Sequence, residues 1–140
     1  MALLGLSVLG TRLGAQEGSP VRMLTDVDLS PDGKTLYFSH QGHLWAVPSL
    51  GGKARQLTQS FADDVFPRVS PDGQWIAFQG NMEGNYELYV MPATGGEPRR
   101  ITTTDADENL VDWTPDGALY YTTAEGDTNL WYMDVESALP

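Results

Sequence analysis

The sequence predicts an all-β fold built from repeated four-stranded antiparallel units, and three observations support this class. A turn motif recurs, because Ser30–Gly33 and Ser70–Gly73 are both Ser-Pro-Asp-Gly and Thr114–Gly117 differs only in its first residue. Two short runs of aromatic and aliphatic residues follow each copy. A Gly-Gly pair comes after the second run in the first two copies. Nothing in the repeat has helical periodicity, so the apolar runs are predicted strands.

The recurring tetrapeptide predicts a tight type I turn between two strands. Proline presets φ near −65° at the second position, and glycine tolerates positive φ where the chain leaves the turn. The aspartate recurs at one repeat position, where its carboxylate can accept hydrogen bonds from turn amides, so we interpret it as structural rather than as an acid/base group. The predicted turn residues are Ser30, Pro31, Asp32, Gly33, Ser70, Pro71, Asp72, Gly73, Thr114, Pro115, Asp116 and Gly117.

The remaining strands of each unit follow from the apolar runs and the glycine pairs. The runs are Leu36–Phe38 and Leu44–Val47, Ile76–Phe78 and Leu88–Met91, and Leu119–Tyr121 and Leu130–Met133. The pairs Gly51 and Gly52, and Gly95 and Gly96, predict a primed two-residue hairpin leading to a fourth strand. Trp45, Tyr89 and Trp131 fall at equivalent positions of the second runs, which indicates packing between units.

A four-stranded unit of about 40 to 45 residues is one blade of a β-propeller, and closed propellers have about 4 to 8 blades. The turn motifs are 40 and 44 residues apart, so the chain has room for about three blades. The expected fold is therefore a partial β-propeller, a fragment of a larger closed ring. The predicted blades are residues 22–60, 61–104 and an incomplete 105–140, with Met23–Leu29 as the first strand. Pro67 lacks an amide hydrogen and is expected on an innermost edge strand.

The amino-terminal residues differ from the repeats. Ala2–Gly10 is apolar, and the small residues Gly14 and Ala15 precede Gln16. We interpret residues 1–15 as a signal peptide and 16–21 as a linker, which predicts an exported protein, periplasmic or extracellular. The apolar run is shorter than the roughly 20 residues of a membrane span, so no transmembrane anchor is expected.

Composition excludes several classes of function. The 140-residue chain has 8 Lys and Arg against 19 Asp and Glu, a formal charge of −11, which disfavours nucleic acid as a partner. It has no cysteine, so disulfides, thiolate metal sites and a cysteine nucleophile are all excluded.

No catalytic, cofactor-binding or metal-binding residue is assigned from the sequence. A zinc site at His40 and His43 would need further ligands from distant carboxylates, and two exposed loop histidines are the simpler interpretation. Asp105–Asn109 begins like a calcium loop, but Leu110 stands where an EF-hand needs glycine, so we expect a loop between blades. Gly5–Leu9 lacks the final glycine of a nucleophile elbow.

At these residues the chain resembles the TolB-like propeller repeat, a WD-repeat-like unit, over about residues 22–134. Within that group it is most similar to the amino-terminal propeller of tricorn-type serine peptidases. The phrases that carry this likeness are Gly42–Pro48, Gly84–Pro92, Gly95–Thr102 and Val111–Gly117.

The resemblance implies a non-catalytic propeller segment of an exported tricorn-like serine peptidase that guides or gates peptide substrates. The implied partners are peptide or protein ligands, the remaining blades and a carboxy-terminal catalytic region, with no cofactor. Whether the parent protein is an enzyme stays open, because no residue here matches the family's catalytic serine or histidine. The alternatives are a TolB-like periplasmic protein-interaction propeller and a propeller fused to an amidohydrolase.

Overall fold

A computed structural model describes residues 24–124 and 129–135, and the predicted signal peptide and linker lie outside these residues. The described chain forms antiparallel strands joined by turns and loops. The strands are β1 (Thr25–Leu29), β2 (Thr35–His40), β3 (His43–Pro48), β4 (Arg55–Gln56), β5 (Asp64–Val69), β6 (Trp75–Gly80), β7 (Glu87–Pro92), β8 (Arg99–Arg100), β9 (Glu108–Trp113), β10 (Leu119–Thr123) and β11 (Leu130–Met133).

The strands form three antiparallel sheets in sequence order. The first sheet has the order β1-β2-β3-β4 and the second β5-β6-β7-β8, and the third contains β9, β10 and β11 among the described residues. The all-β class and the meander of each unit are therefore confirmed. Of the predicted first strand Met23–Leu29, the described part is paired from Thr25 onward.

Each Ser-Pro-Asp-Gly turn joins the first two strands of its sheet. In the first turn Gly33 N donates to Ser30 O at 2.8 Å, and Gly33 has φ of 72°, a value that a residue without Cβ adopts freely. Asp32 Oδ1 accepts hydrogen bonds from the Ser30 hydroxyl at 2.6 Å and from Lys34 N at 3.0 Å. The serine and aspartate side chains thus form hydrogen bonds with turn groups that are not bonded within the strand pairing.

The Gly-Gly pairs do not form the predicted two-residue hairpin. Gly51 N donates to Pro48 O at 2.9 Å, and Gly95 N donates to Pro92 O at 2.9 Å, so each pair begins at the last residue of a turn. Both glycines of each pair have positive φ, from 94° at Gly51 to 149° at Gly96. The pair therefore redirects the chain after the turn, and the short β4 and β8 pair with the third strand only several residues later.

The sheets lie side by side and converge on their first strands. β1 contacts β5, and β5 contacts β9, whereas β4 and β8 contact chiefly the third strand of their own sheet. The strands β1, β5 and β9, here called the inner strands, are edge strands of their sheets, as predicted for the strand containing Pro67. This radial arrangement is that of consecutive propeller blades.

The second sheet is packed on both faces, and this explains its nearly continuous apolar strands. Ile76, Phe78, Tyr89 and Met91 face the first sheet, where they join a core cluster with Tyr37, Leu44 and Ala46. Their neighbours face the third sheet, in a cluster made of Ala77, Leu88, Val90, Leu110, Trp113, Leu119 and Val135. Because strand side chains alternate between faces, each strand of this sheet contributes to two cores.

The described residues contain no helix long and apolar enough to cross a membrane.

We expect Leu88→Ala to destabilise the fold by about 2–5 kcal/mol, because Leu88 is fully buried between the second and third sheets and its removal leaves a cavity. Leu50→Ala is the matched control, since Leu50 is 100% exposed. Urea unfolding followed by circular dichroism measures both. Equal stability of the two variants would show that this core is absent in solution.

Candidate binding surface on the inner strands

Two of the three non-glycine residues with left-handed backbone among the described residues lie on the inner strands, and the third, Gln41, lies in the turn between β2 and β3. Asp26 and Phe66 have φ of 53° and 54°, a left-handed conformation that is uncommon for residues with a side chain. Each lies at an irregularity in the pairing of the first two strands, between Thr25 and Asp28 in β1 and between Val65 and Arg68 in β5. A bulge of this kind re-aims side chains at the edge of a sheet, and such strain clusters at binding sites.

Each inner strand also exposes an apolar side chain. Val27 is 48% exposed, Phe66 39% and Val111 46%, one on each inner strand. Charged side chains flank them: Asp26, Asp28 and Asp112 are acidic, and Arg68 is basic. A surface of this composition can accept an extended peptide, with apolar contacts at the centre and charges at the edges.

Hydrogen bonds across the sheets hold the inner strands in place. Val69 N donates to Asp28 Oδ2 at 2.7 Å, and the Trp113 indole Nε1 donates to Arg68 O at 2.8 Å. Gln79 Oε1 accepts from Leu110 N at 3.1 Å. Each of these bonds connects one sheet to the next, so the spacing of the inner strands is fixed by the sheets behind them.

A repeated polar network ties the outer end of one sheet to the start of the next. Thr58 and Thr102 hydroxyls accept from Leu44 N at 3.0 Å and from Leu88 N at 2.8 Å. Ser60 donates to Asp64 at 2.7 Å and Thr104 to Glu108 at 2.7 Å. The whole set recurs at a spacing of 44 residues, which is the signal that could have revealed it.

The carboxylates of this network are buried, and their pKa values are displaced. Burial raises the pKa of Asp64, and hydrogen bonds from Thr58 and Ser60 oppose that rise. Burial likewise raises the pKa of Glu108, and the neighbouring Glu87 carboxylate adds to the rise. Arg100 lies between the network and solvent, with Nη2 3.6 Å from Glu87 Oε1.

The predicted turn residues lie together at one end of the sheets. In the second turn Gly73 N donates to Ser70 O at 2.8 Å, and in the third Gly117 N donates to Thr114 O at 3.0 Å. The Ser70 hydroxyl and the Gln74 amide lower the pKa of Asp72, as the Ser30 hydroxyl and the Lys34 amide lower that of Asp32. These carboxylates hold the turns and lie apart from the bulges of the inner strands.

The sequence predicts two histidines in an exposed loop, and the structure shows that this prediction is wrong. His40 ends β2 and His43 begins β3, the two are directly paired across the strands, and both are half-buried. Within residues 24–124 and 129–135, no three histidine or carboxylate side chains gather as a metal site requires. The segment Asp105–Asn109 connects β8 to β9 and enters the third sheet at Glu108, as expected of a loop between blades.

The equivalent aromatics pack to different extents. Tyr89 stacks on Phe78 at a ring-centroid distance of 5.5 Å, within the core between the first two sheets. Trp45 is half-buried and lies edge-on to His40, and Trp131 remains 49% exposed. The prediction of packing between units therefore holds for Tyr89.

Sheets that converge on their first strands and pack face to face define a segment of a β-propeller. Comparison with known families gives the same result: the family described as tricorn protease N-terminal beta propeller domain matches residues 21–138. The chain belongs to this family.

Solved structures share the fold. The structure of a putative TolB from Agrobacterium tumefaciens is 27% identical with a TM-score of 0.69, covering 84% of this chain and 44% of that protein. The crystal structure of the tricorn protease is 25% identical with a TM-score of 0.58, covering 71% of this chain and 10% of that one. A puromycin-hydrolysing peptidase from Mycobacterium tuberculosis shares the fold at 14% identity and a TM-score of 0.69, over 84% of this chain and 21% of that protein. The chain thus spans less than half the length of each of these three proteins.

We expect Glu108→Gln to reduce the loss of stability on raising the pH from about 4 to about 8. Because the folded-state pKa of Glu108 is raised, its stabilising contribution is fully present below the unfolded pKa and is lost as the pH rises through the folded pKa. A glutamine stays neutral throughout. The thermal midpoint at both pH values measures the effect.

Glu97→Gln is the control for this prediction, since Glu97 is exposed and removal of its charge should leave the pH dependence unchanged. An unaltered pH dependence in Glu108→Gln would show that Glu108 ionises in the folded protein as readily as in the unfolded chain.

Proposed function

We propose that this chain is the non-catalytic, ligand-handling propeller segment of an exported tricorn-like serine peptidase, and that its inner strands guide peptide substrates. The observation that carries the proposal is the row of exposed apolar side chains beside the left-handed residues Asp26 and Phe66. Membership of the tricorn propeller family supports the kind of parent protein. The peptidase chemistry itself belongs to residues outside the repeats.

The inner strands suit an extended peptide for two physical reasons. As edge strands they leave backbone groups unpaired by their own sheet, and a peptide strand can pair with such groups. Phe66 adds an exposed aromatic anchor on the middle inner strand. The exposed valines Val27 and Val111 extend the apolar contact to both neighbouring strands.

A second candidate function is a TolB-like periplasmic propeller that binds other proteins. The observation in its favour is the likeness to the putative TolB, which is 27% identical over 84% of this chain. The two candidates differ in what continues the polypeptide. Several hundred further codons that include a catalytic serine and histidine would favour the peptidase, and a few more blades before a stop codon would favour the binding propeller.

Export is part of the proposal and rests on residues 1–15 as a cleaved signal. Expression of the full chain in a Gram-negative host, followed by fractionation and amino-terminal sequencing, tests it. We expect a periplasmic product that begins at Gln16. A product that stays in the cytoplasm and begins at Met1 or Ala2 would contradict export.

We expect Phe66→Ala to weaken peptide binding at least about tenfold, because exposed aromatic anchors dominate such interfaces. The probe is a chymotryptic digest of a reduced and alkylated model protein passed over the immobilised chain, and mass spectrometry reads the retention of those peptides that contain no arginine. Phe61→Ala is the matched control, since Phe61 is fully exposed outside the strands. Equal retention of peptides by both variants, or no retention by the unaltered chain, would overturn the role of the inner strands.

The same preparation should hydrolyse none of the peptides in the digest. Hydrolysis by a clean sample would place catalytic residues within this chain and so contradict the non-catalytic assignment.

A further inference from the structure

A cleft of about 390 Å³ lies between the turns of the second and third sheets, away from the bulges of the inner strands. Its walls combine aromatic and acidic side chains, and the residues that define its chemistry are Asp72, Trp75, Trp113, Asp116, Tyr132 and Asp134. The volume is within the range of sites that hold small ligands or single side chains.

The cleft has no equivalent between the first and second sheets, although the turns of all three sheets share the same repeat. At the junction of the first and second sheets the turns touch, because Pro31 Cδ lies 3.6 Å from the position where a Gly73 side chain would begin. At the equivalent Gly117, no described residue lies within 4 Å of that position. The turns of the second and third sheets therefore do not close on one another.

Two substitutions within the repeat accompany this opening. Trp75 and Trp113 line the cleft, and the residues at the same repeat positions at the first junction are Thr35 and Val69. Trp113 is 8% exposed and its indole is fixed by the bond to Arg68 O, whereas Trp75 is half-buried. Two large aromatic side chains, of which Trp113 is fixed by a hydrogen bond, thus stand where smaller residues occupy the first junction.

The charge of the cleft is acidic. Asp72, Asp116 and Asp134 contribute carboxylates, and no lysine or arginine among the described residues lines the cleft. The Ser70 hydroxyl holds Asp72, and the Thr114 hydroxyl holds Asp116, so both carboxylates are fixed in place. The Ser70 hydroxyl bond, followed by the Gln74 amide bond, lowers the pKa of Asp72, which keeps it ionised at neutral pH.

In the first turn, the aspartate that is equivalent to Asp72 and Asp116 forms an ion pair. Lys34 Nζ lies 3.8 Å from Asp32 Oδ2, so the chain itself supplies a cation there. The residues at the position of Lys34 in the second and third turns are Gln74 and Ala118, which are uncharged. The counterpart cation is thus missing from both turns that border the cleft.

We propose that this cleft binds an arginine side chain of a peptide or protein ligand. A planar guanidinium stacks on tryptophan and tyrosine faces and also forms paired hydrogen bonds with carboxylates, whereas an ammonium is a compact and strongly hydrated charge. The walls offer both kinds of contact at once. The proposal relies on the proposed function only for the source of the arginine, and it requires no contribution from Phe66.

The test is a titration of the full 15N-labelled chain with N-acetyl-arginine amide, followed through the indole N–H signals of its four tryptophans. Variants Trp75→Phe and Trp113→Phe assign the signals of the cleft. We expect saturable shifts of these two signals, and at least about tenfold weaker binding of N-acetyl-citrulline amide, which has the same shape without the charge. N-acetyl-lysine amide should bind more weakly than the arginine probe.

Asp116→Asn should weaken arginine binding about tenfold, and Asp32→Asn is the matched control because Asp32 has the same turn role outside the cleft. Added salt should weaken the binding by the unaltered chain, a measurement that does not depend on any variant folding. Absence of saturable shifts, equal binding of citrulline, tighter binding of lysine, or an equal effect of Asp32→Asn would each overturn the proposal. None of these outcomes bears on peptide retention by the inner strands.

Discussion

The packing of the second sheet between its two neighbours is the constraint on which the rest of the structure depends. Phe78 and Met91 on one face and Leu88 and Val90 on the other are excluded from solvent only because a sheet covers each side. This burial of apolar area is the main source of free energy that offsets the ordering of short, irregular strands. The inner strands, the polar junctions and the cleft all take their positions from it.

Most of the fold could be predicted because its signals are local and repeated. A proline and a glycine at fixed places in a tetrapeptide specify the turn, and short apolar runs on either side specify the strands. The prediction of a hairpin at each glycine pair is wrong for an equally local reason. The predicted hairpin requires positive φ at Gly51 and Gly52, and both residues have it. A glycine that follows a turn needs the same backbone freedom as a glycine within one, so positive φ does not distinguish the two placements. Only the bond from Gly51 N to Pro48 O distinguishes them.

The candidate sites could be predicted from the sequence to a smaller extent than the fold. Left-handed backbone at Phe66 has no signature in the sequence, and aspartate at position 26 only slightly favours it, since the conformation follows from pairing to the second strand. The half-buried His40 and His43 were expected in a loop, because their position at strand ends depends on a tight connection through Gly42. The cleft requires Trp75 and Trp113 from different sheets to line the same space, and that is a property of the assembled sheets.

One consequence of the doubly covered second sheet concerns cooperativity. In an array where each unit interacts chiefly with its neighbours, the loss of an end unit removes one interface and the loss of the middle unit removes two. Amide protons of β6 and β7 should therefore exchange only when both of these interfaces open. The inner strands on either side of β5 are then coupled through a rigid centre. A ligand that bridges β1 and β9 would gain affinity by suppressing the motion of the first and third sheets relative to one another.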